Sequence, residues 1–171
     1  GLGDVYKRQK TDNESKYHEV QTRLIGEYNF PNALAAVTIG HFFGVEPEKI
    51  DKALAGYTPQ NNRSQLKKTA DNTLIIDAYN ANPTSMMASI SNFRNMQAEN
   101  KMLILGDMRE LGKDSADEHQ KIADYLEECG FKDVVLVGEL FAATRHPYQS
   151  YPDVTALIAE PVSYTHLTLP T

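Results

Sequence analysis

One cysteine, Cys129, stands in a chain of 171 residues. A single thiol excludes an internal disulfide and any cysteine-built metal cage, so a disulfide-stapled secreted fold is ruled out and a reducing cytoplasm is the expected setting. No apolar run approaches the roughly 18–20 residues of a spanning helix. Nor does an apolar stretch near the start precede a small-residue cleavage site, as a leader peptide would require. No membrane partner is expected. Basic side chains are outnumbered, 17 Lys and Arg against 23 Asp and Glu, for a net charge of −6. They are scattered rather than clustered, so no nucleic-acid partner is expected either. Several chemical signatures are also missing: there is no G-x-x-x-x-G-K-[ST] phosphate loop, no G-x-G-x-x-G, no H-x-x-x-H pair and no nucleophile elbow.

What is present is an ordinary globular composition, 41% apolar and 23% charged, enough to build a core in a chain about one domain long. The two ends differ from the rest. GLGDVYKRQ (1–9) and PVSYTHLTLPT (161–171) look like translated sequencing-adaptor read-through, and the second contains no Asp, Glu, Lys or Arg. Both are expected to be non-native and outside the fold.

Between them, residues 17–25 carry β-branched side chains in partial alternation, which predicts a strand. Asn29-Phe30-Pro31-Asn32 then opens an Ala-rich apolar run closed by Gly44. Proline at the front and glycine behind mark a helix, with Asn29 as its cap. Being apolar nearly all round, that helix reads as buried. A second helix starts at Pro47, places Ile50, Ala53 and Leu54 at helical spacing, and ends near Gly56. YTPQNN (57–62) reads as a linker.

Beyond it, 65–69 and 73–77 form a predicted hairpin, and Met86, Ile90 and Phe93 give 83–96 a helical face. Short apolar strands are predicted at 102–105 and 134–137. Between them lies a helix over 115–129, opened by a capping box at Ser115-x-x-Glu118. Strands that lack clean alternation and are separated by helices predict an α/β fold: a Rossmann-like, mostly parallel sheet covered on both faces, with a leading hairpin.

In such sheets ligands gather at the carboxyl ends of the strands, and two ends are unusually polar. In DAYNANP (77–83), Asp77 can accept hydrogen bonds from a ribose, and Tyr79 offers a purine an aromatic face. Asn80 can both donate and accept along an adenine edge. Asn82 before Pro83 reads as plain helix capping. In GDMRELG (106–112), Asp107 and Glu110 can hold an ammonium group, a metal-bound water or a backbone amide. His119 shares a helical face with Ile122, Leu126 and Cys129, where a packed histidine with one hydrogen bond is the simpler reading, and Cys129 reads as a small core residue. Arg63, beside the linker, is either a solvated side chain or a fork of donors reaching a phosphate.

Four blocks in series sharpen this: GEYNFPNALAA (26–36), NNRSQ (61–65), DAYNANPTSM (77–86) and LGDMRELGKDSADEH (105–119). Together they resemble the Mur ligase family, in its D-alanyl-D-alanine-adding branch, over residues 10–160. The resemblance implies that 10–58 is the end of a central ATP-binding domain and 62–160 most of a C-terminal domain. It implies a nucleotide clamp of Asn29, Asn32, Arg63, Asp77, Tyr79 and Asn80. It also implies that Asp107, Met108, Glu110, Ser115 and His119 help place the incoming dipeptide. ATP and Mg²⁺ are the implied cofactors, with UDP-N-acetylmuramoyl-tripeptide and D-Ala-D-Ala as small-molecule substrates.

The implied reaction is amide ligation through an acyl phosphate, since a bare carboxylate resists attack by an amine. Most of the apparatus that would hold the phosphates and metal, the phosphate loop above all, belongs to the part of the family's pattern absent from this chain, which alone is expected to be inactive. Many relatives carry His where this chain has Tyr28, and the family's later Lys-Gly-Ser-Arg block is missing. With later strands gone, the strand at 134–137 is expected to lie near a sheet edge. Alternative readings are a sister Mur ligase, a folylpolyglutamate synthase-like ligase, or a non-catalytic nucleotide-binding module.

Overall fold

A computed structural model describes residues 5–9, 17–60, 62–98 and 100–160, with 5–9 and 17–18 described through their backbone alone. The chain divides into two compact units, Gly1–Tyr79 and Asn80–Thr171. Of the two ends expected to lie outside the fold, 1–4 and 161–171 fall outside the described residues. Val5–Gln9 forms β1, paired antiparallel with β2 (Tyr17–Gln21).

In the first unit β2 is shorter than the strand expected over 17–25, because a 3-10 turn at Glu27–Asn29 already prepares the next helix. That helix, α1 (Phe30–Phe42), ends as its sequence dictates. Gly44 takes φ +71, its N–H bonds to the His41 carbonyl, and Val45 N–H bonds to that of Gly40. This doubled pair satisfies carbonyls that the helix end would otherwise orphan. Gly40 has a second role. A Cβ there would meet Ile50 Cδ1 at 3.0 Å, so its bare backbone lets α2 (Pro47–Gly56) pack close.

The expectation that α1 is buried fails. Only Ala33 is buried, while Leu34, Ile39 and Phe42 are 52%, 58% and 81% exposed, because α2 and the preceding turn cover one side only. The hairpin of β3 (Gln65–Lys68) and β4 (Thr73–Ile76) completes the unit, antiparallel as predicted.

The second unit is a three-stranded parallel sheet in the order β5 (Met102–Gly106), β6 (Asp133–Val137), β7 (Gln149–Tyr151). Strand β6 therefore lies in the middle, not near an edge: the short polar strand β7, which no apolar pattern announces, takes the outer place. Val134 and Leu136 face one core, with Met86 and Ile90 of α3 (Pro83–Asn95) and with Ile122 and Leu126 of α4 (Ser115–Glu128). Phe141, from the four-residue α5 (Glu139–Ala142), completes it. Val135 and Val137 face the other core, with Tyr151 and with Leu157 of α6 (Val154–Ala159). A strand buried on both faces has no polar side to alternate with, which explains the unbroken VVLV of β6. This is the predicted α/β arrangement. Among the described residues no helix is long and apolar enough to cross a membrane.

Two cap predictions change and one holds. Ser115 is the first residue of α4, in helical backbone behind a 3-10 turn (Gly112–Asp114), and no side-chain cap forms there. Asn29 stands at the cap position of α1, but its side chain does not cap; its amide donates to the Ile25 carbonyl at 2.8 Å instead. The capping box lies at α3, where Asn82 accepts from Ser85 N–H at 2.9 Å and Ser85 Oγ receives the Asn82 N–H at 3.3 Å.

Candidate functional site

Within the first unit, five of the six residues expected in the nucleotide clamp occupy one neighbourhood. The turn before β3 sets it up. Asn62 and Ser64 both adopt left-handed backbone, φ +58 and +44, an uncommon choice for residues with a Cβ. They place Arg63 between them. The Arg63 guanidinium lies over the Tyr79 ring, 3.6 Å from its centroid, as a cation over a π face. Tyr79 is 61% exposed, so the pair stands on an open surface. It lines an open cleft of about 720 Å³ together with Gly56, Tyr57, Thr58 and Gln60.

Asp77 Oδ1 accepts the Ser64 N–H at 3.2 Å, so this carboxylate already serves the Arg63 turn. Asn29 is buried, and its Oδ1 accepts from Asn32 Nδ2 at 3.2 Å. Ser64 joins the two sides. Buried at 7% exposure, its Oγ lies 2.8 Å from Tyr28 Oη and 3.5 Å from Asn29 Nδ2. Neither Ser64 nor Tyr57 stands out in the sequence. A small hydroxyl beside a turn arginine is the only available signal, and no periodicity raises it. Asn80 is exposed and belongs to the second unit.

The residues expected to place the dipeptide lie in the second unit. Asp107 follows β5, and its carboxylate accepts the N–H of Leu140 at 3.0 Å and of Phe141 at 2.9 Å. Of the partners considered for it, a backbone amide is the one it holds. His119 is fully buried, edge-on to Phe141 with ring centroids 4.7 Å apart. Its Nδ1 lies 2.7 Å from the Ser115 carbonyl, which can only accept, so the proton sits on Nδ1. Nε2 then accepts the Met108 N–H at 3.0 Å, with Asp107 Oδ1 at 3.8 Å. Both ring nitrogens are engaged, one more bond than the simplest reading allowed.

Met108 is fully buried, within the core. Glu110 is exposed at φ +67, and Ser115 Oγ lies 3.5 Å from His119 Nδ1. Cys129 is half-buried against the same core. Of this group, Asp107, Met108, Ser115 and His119 form one linked cluster that fixes the loop after β5, and Glu110 stands outside it.

Residues 62–165 match the family described as Mur ligase, glutamate ligase domain, and the chain belongs to that family. Among curated relatives, it is 45% identical over 91 residues to the UDP-N-acetylmuramoyl-tripeptide–D-alanyl-D-alanine ligase of Bacillus subtilis, covering 52% of this chain and 20% of that protein. The Escherichia coli protein of the same name is 31% identical over 144 residues, covering 82% and 32%. Among solved structures, MurF from Acinetobacter baumannii superposes with TM-score 0.74 at 29% identity, covering 86% of this chain and 33% of that one. MurF from Thermotoga maritima, solved in complex with ADP, gives TM-score 0.75 at 18% identity, covering 89% and 35%, a likeness of fold. The chain thus spans between a fifth and about a third of the length of these relatives.

Proposed function

We propose that this chain is part of an ATP-dependent amide ligase that adds D-alanyl-D-alanine to UDP-N-acetylmuramoyl-tripeptide. In this reading residues 10–58 end a central ATP-binding domain and 62–160 form most of a C-terminal domain. The observation that carries it is the Arg63–Tyr79 pair at the open cleft, bonded through Ser64 to Asn29 and Asp77. An exposed aromatic face suits a purine, and a guanidinium fork suits phosphate oxygens. The cleft's roughly 720 Å³ lies within the usual range of small-molecule sites, about 300–1,000 Å³. Asn32 is assigned to the same nucleotide as a polar contact.

ATP would activate the tripeptide carboxylate as an acyl phosphate, which the amine of D-Ala-D-Ala then attacks, releasing phosphate. This chain's share is to hold and orient the nucleotide. Among the described residues no three His, Cys, Asp or Glu side chains converge as a metal ion would need. The loop fixed by Asp107 and His119 is assigned to the dipeptide side, with Glu110 and Ser115 as its accessible polar groups and Met108 as a buried support.

A second reading, a sister ligase, is favoured by 29% identity over 151 residues to the UDP-N-acetylmuramate–L-alanine ligase of Chlorobaculum tepidum. One assay separates them: phosphate release by the full-length protein with ATP, supplied with either the tripeptide and D-Ala-D-Ala or UDP-N-acetylmuramate and L-alanine. Turnover with the first pair alone is expected, and none from the 171 residues by themselves. In the full-length protein, Asp77→Ala and Tyr79→Ala should raise the KM for ATP about five- to a hundredfold, as loss of bonds worth about 1–3 kcal/mol implies. The KM for D-Ala-D-Ala should stay put. Unchanged ATP dependence in both variants would remove the nucleotide assignment.

A further inference from the structure

The turn that carries Arg63 is held at two points on either side of it. Asn62 offers its carbonyl to the Ala78 N–H at 2.8 Å, and Ser64 gives its N–H to Asp77 Oδ1 at 3.2 Å. Both anchors are close neighbours of Tyr79, which is why the guanidinium comes to rest on that ring. The turn does not hold itself. A serine at φ +44 occupies backbone that glycine fills freely and L residues resist, so surrounding bonds must fix it. Ser64 has these bonds because its Oγ is buried against the hydroxyl of Tyr28 at 2.8 Å, with Asn29 Nδ2 at 3.5 Å. The Tyr28 hydroxyl therefore reaches Arg63 through one residue, and the same Ser64 Oγ touches Asn29.

We propose that Tyr28 and Ser64 are positioning residues, whose hydroxyl pair sets the left-handed turn that aims Arg63 and couples it to Asn29. The proposal rests on the cleft being a nucleotide site. Neither residue touches the nucleotide; each acts through Arg63. Glycine makes the test clean. Ser64→Gly removes the hydroxyl yet accepts φ +44 without strain, so it separates a positioning role from a structural one. Tyr28→Phe removes the other hydroxyl and keeps the ring.

The experiment uses the full-length protein, steady-state kinetics with ATP and D-Ala-D-Ala varied in turn, and thermal unfolding of each variant. Both substitutions should raise the KM for ATP about fivefold, the worth of one ordinary buried hydrogen bond. The KM for D-Ala-D-Ala should not move. The melting temperature of Ser64→Gly should stay close to that of the parent, because relief of the φ +44 strain offsets the lost hydrogen bond. The double variant should be no worse than either single one, since both break the same link. Arg63→Ala serves as the reference. If it raises the KM for ATP while Tyr28→Phe and Ser64→Gly leave it unchanged, the positioning role is overturned and the nucleotide site stands. If Arg63→Ala itself has no effect, the site reading falls and this proposal with it.

Discussion

Tyr148 shows how the fold uses a side chain for its ring alone. Its hydroxyl is buried with no hydrogen-bond partner among the described residues, while the ring packs on the larger core. Burial pushes the phenol's pKa up, and the charges of Glu127 and then Cys129 push the same way. A folded-state value above the unfolded one means the folded chain keeps a proton that the unfolded chain releases. This contribution to stability is whole below the ordinary tyrosine value of about 10 and is lost as pH rises through the higher folded value. Tyr148→Phe should therefore leave neutral-pH stability unchanged or raise it by up to about 1 kcal/mol, because an unsatisfied buried hydroxyl is removed. It should also flatten the alkaline decline. Melting temperatures at about pH 8 and about pH 10.5 would test both parts, and a variant that melts lower at the first or declines as steeply as the parent would contradict them. The contrast with Tyr28, whose hydroxyl is bonded to Ser64, shows that two tyrosines can be equally plain in sequence and opposite in role.

Among the elements, Gly138 and Asp107 decide where β6 hands over to α5. Gly138 sits at φ +133 and ψ 156, a region essentially reserved for glycine. A Cβ there would lie 2.1 Å from Asp107 Cγ. Gly138→Ala must therefore strain the backbone and push away the carboxylate that receives the Leu140 and Phe141 N–H groups. A loss of about 2–4 kcal/mol is expected, from strain of about 1–3 kcal/mol plus weakened charge-assisted bonds. Urea unfolding would measure it, and a loss below about 0.5 kcal/mol, ordinary for surface substitutions, would show that the contact is slack.

This junction also marks where the sequence stops being legible. The hairpin, α3, α4 and the apolar strands β5 and β6 can be read from local pattern because their periodicity reports which faces are buried. Strand β7, three residues reading QSY, and the four-residue α5 have no such periodicity. The carboxylate that anchors α5 comes from Asp107, more than thirty positions earlier. Two helix caps escape local pattern for the same reason. Ser115 has capping-box spacing, but the 3-10 turn before it starts the helix one residue sooner. Asn29 has cap chemistry, but its amide is taken by Ile25 and its neighbour Ser64. In the candidate site, the charged and aromatic members are legible by type. Ser64, which links them, is not, since only the fold reveals a buried hydroxyl.

At the scale of the whole molecule, the two units differ in how well they bury what they carry. The second has cores on both faces of its sheet, with Phe141, Met108, Ile122, Leu126 and Leu136 all fully buried. The first buries Val20, Leu24, Ile25, Ala33 and Ile50, but leaves Leu34, Ile39, Phe42 and Phe43 of α1 and its end at 52%, 58%, 81% and 75% exposure. Exposed apolar side chains in that number are uncommon on so short a helix of a monomer and promote association. Because these side chains rest on little, replacing them removes little: Ile39→Lys and Phe42→Ser should change the chain's unfolding free energy by no more than about 0.5 kcal/mol each, as at ordinary surface positions. The same substitutions should lower self-association. Sedimentation velocity at matched concentrations, beside thermal unfolding, tests both. A chain that stays equally associated but loses cooperative unfolding would show that the face of α1 packs internally in solution. In the full-length ligase the proposed reading sets the opposite expectation: the rest of the central domain covers α1, and Phe42→Ser should cost about 3–5 kcal/mol, as truncating a buried aromatic side chain does. Equal tolerance in both forms would mean that nothing in the longer protein covers the helix, and would count against assigning residues 10–58 to a central domain.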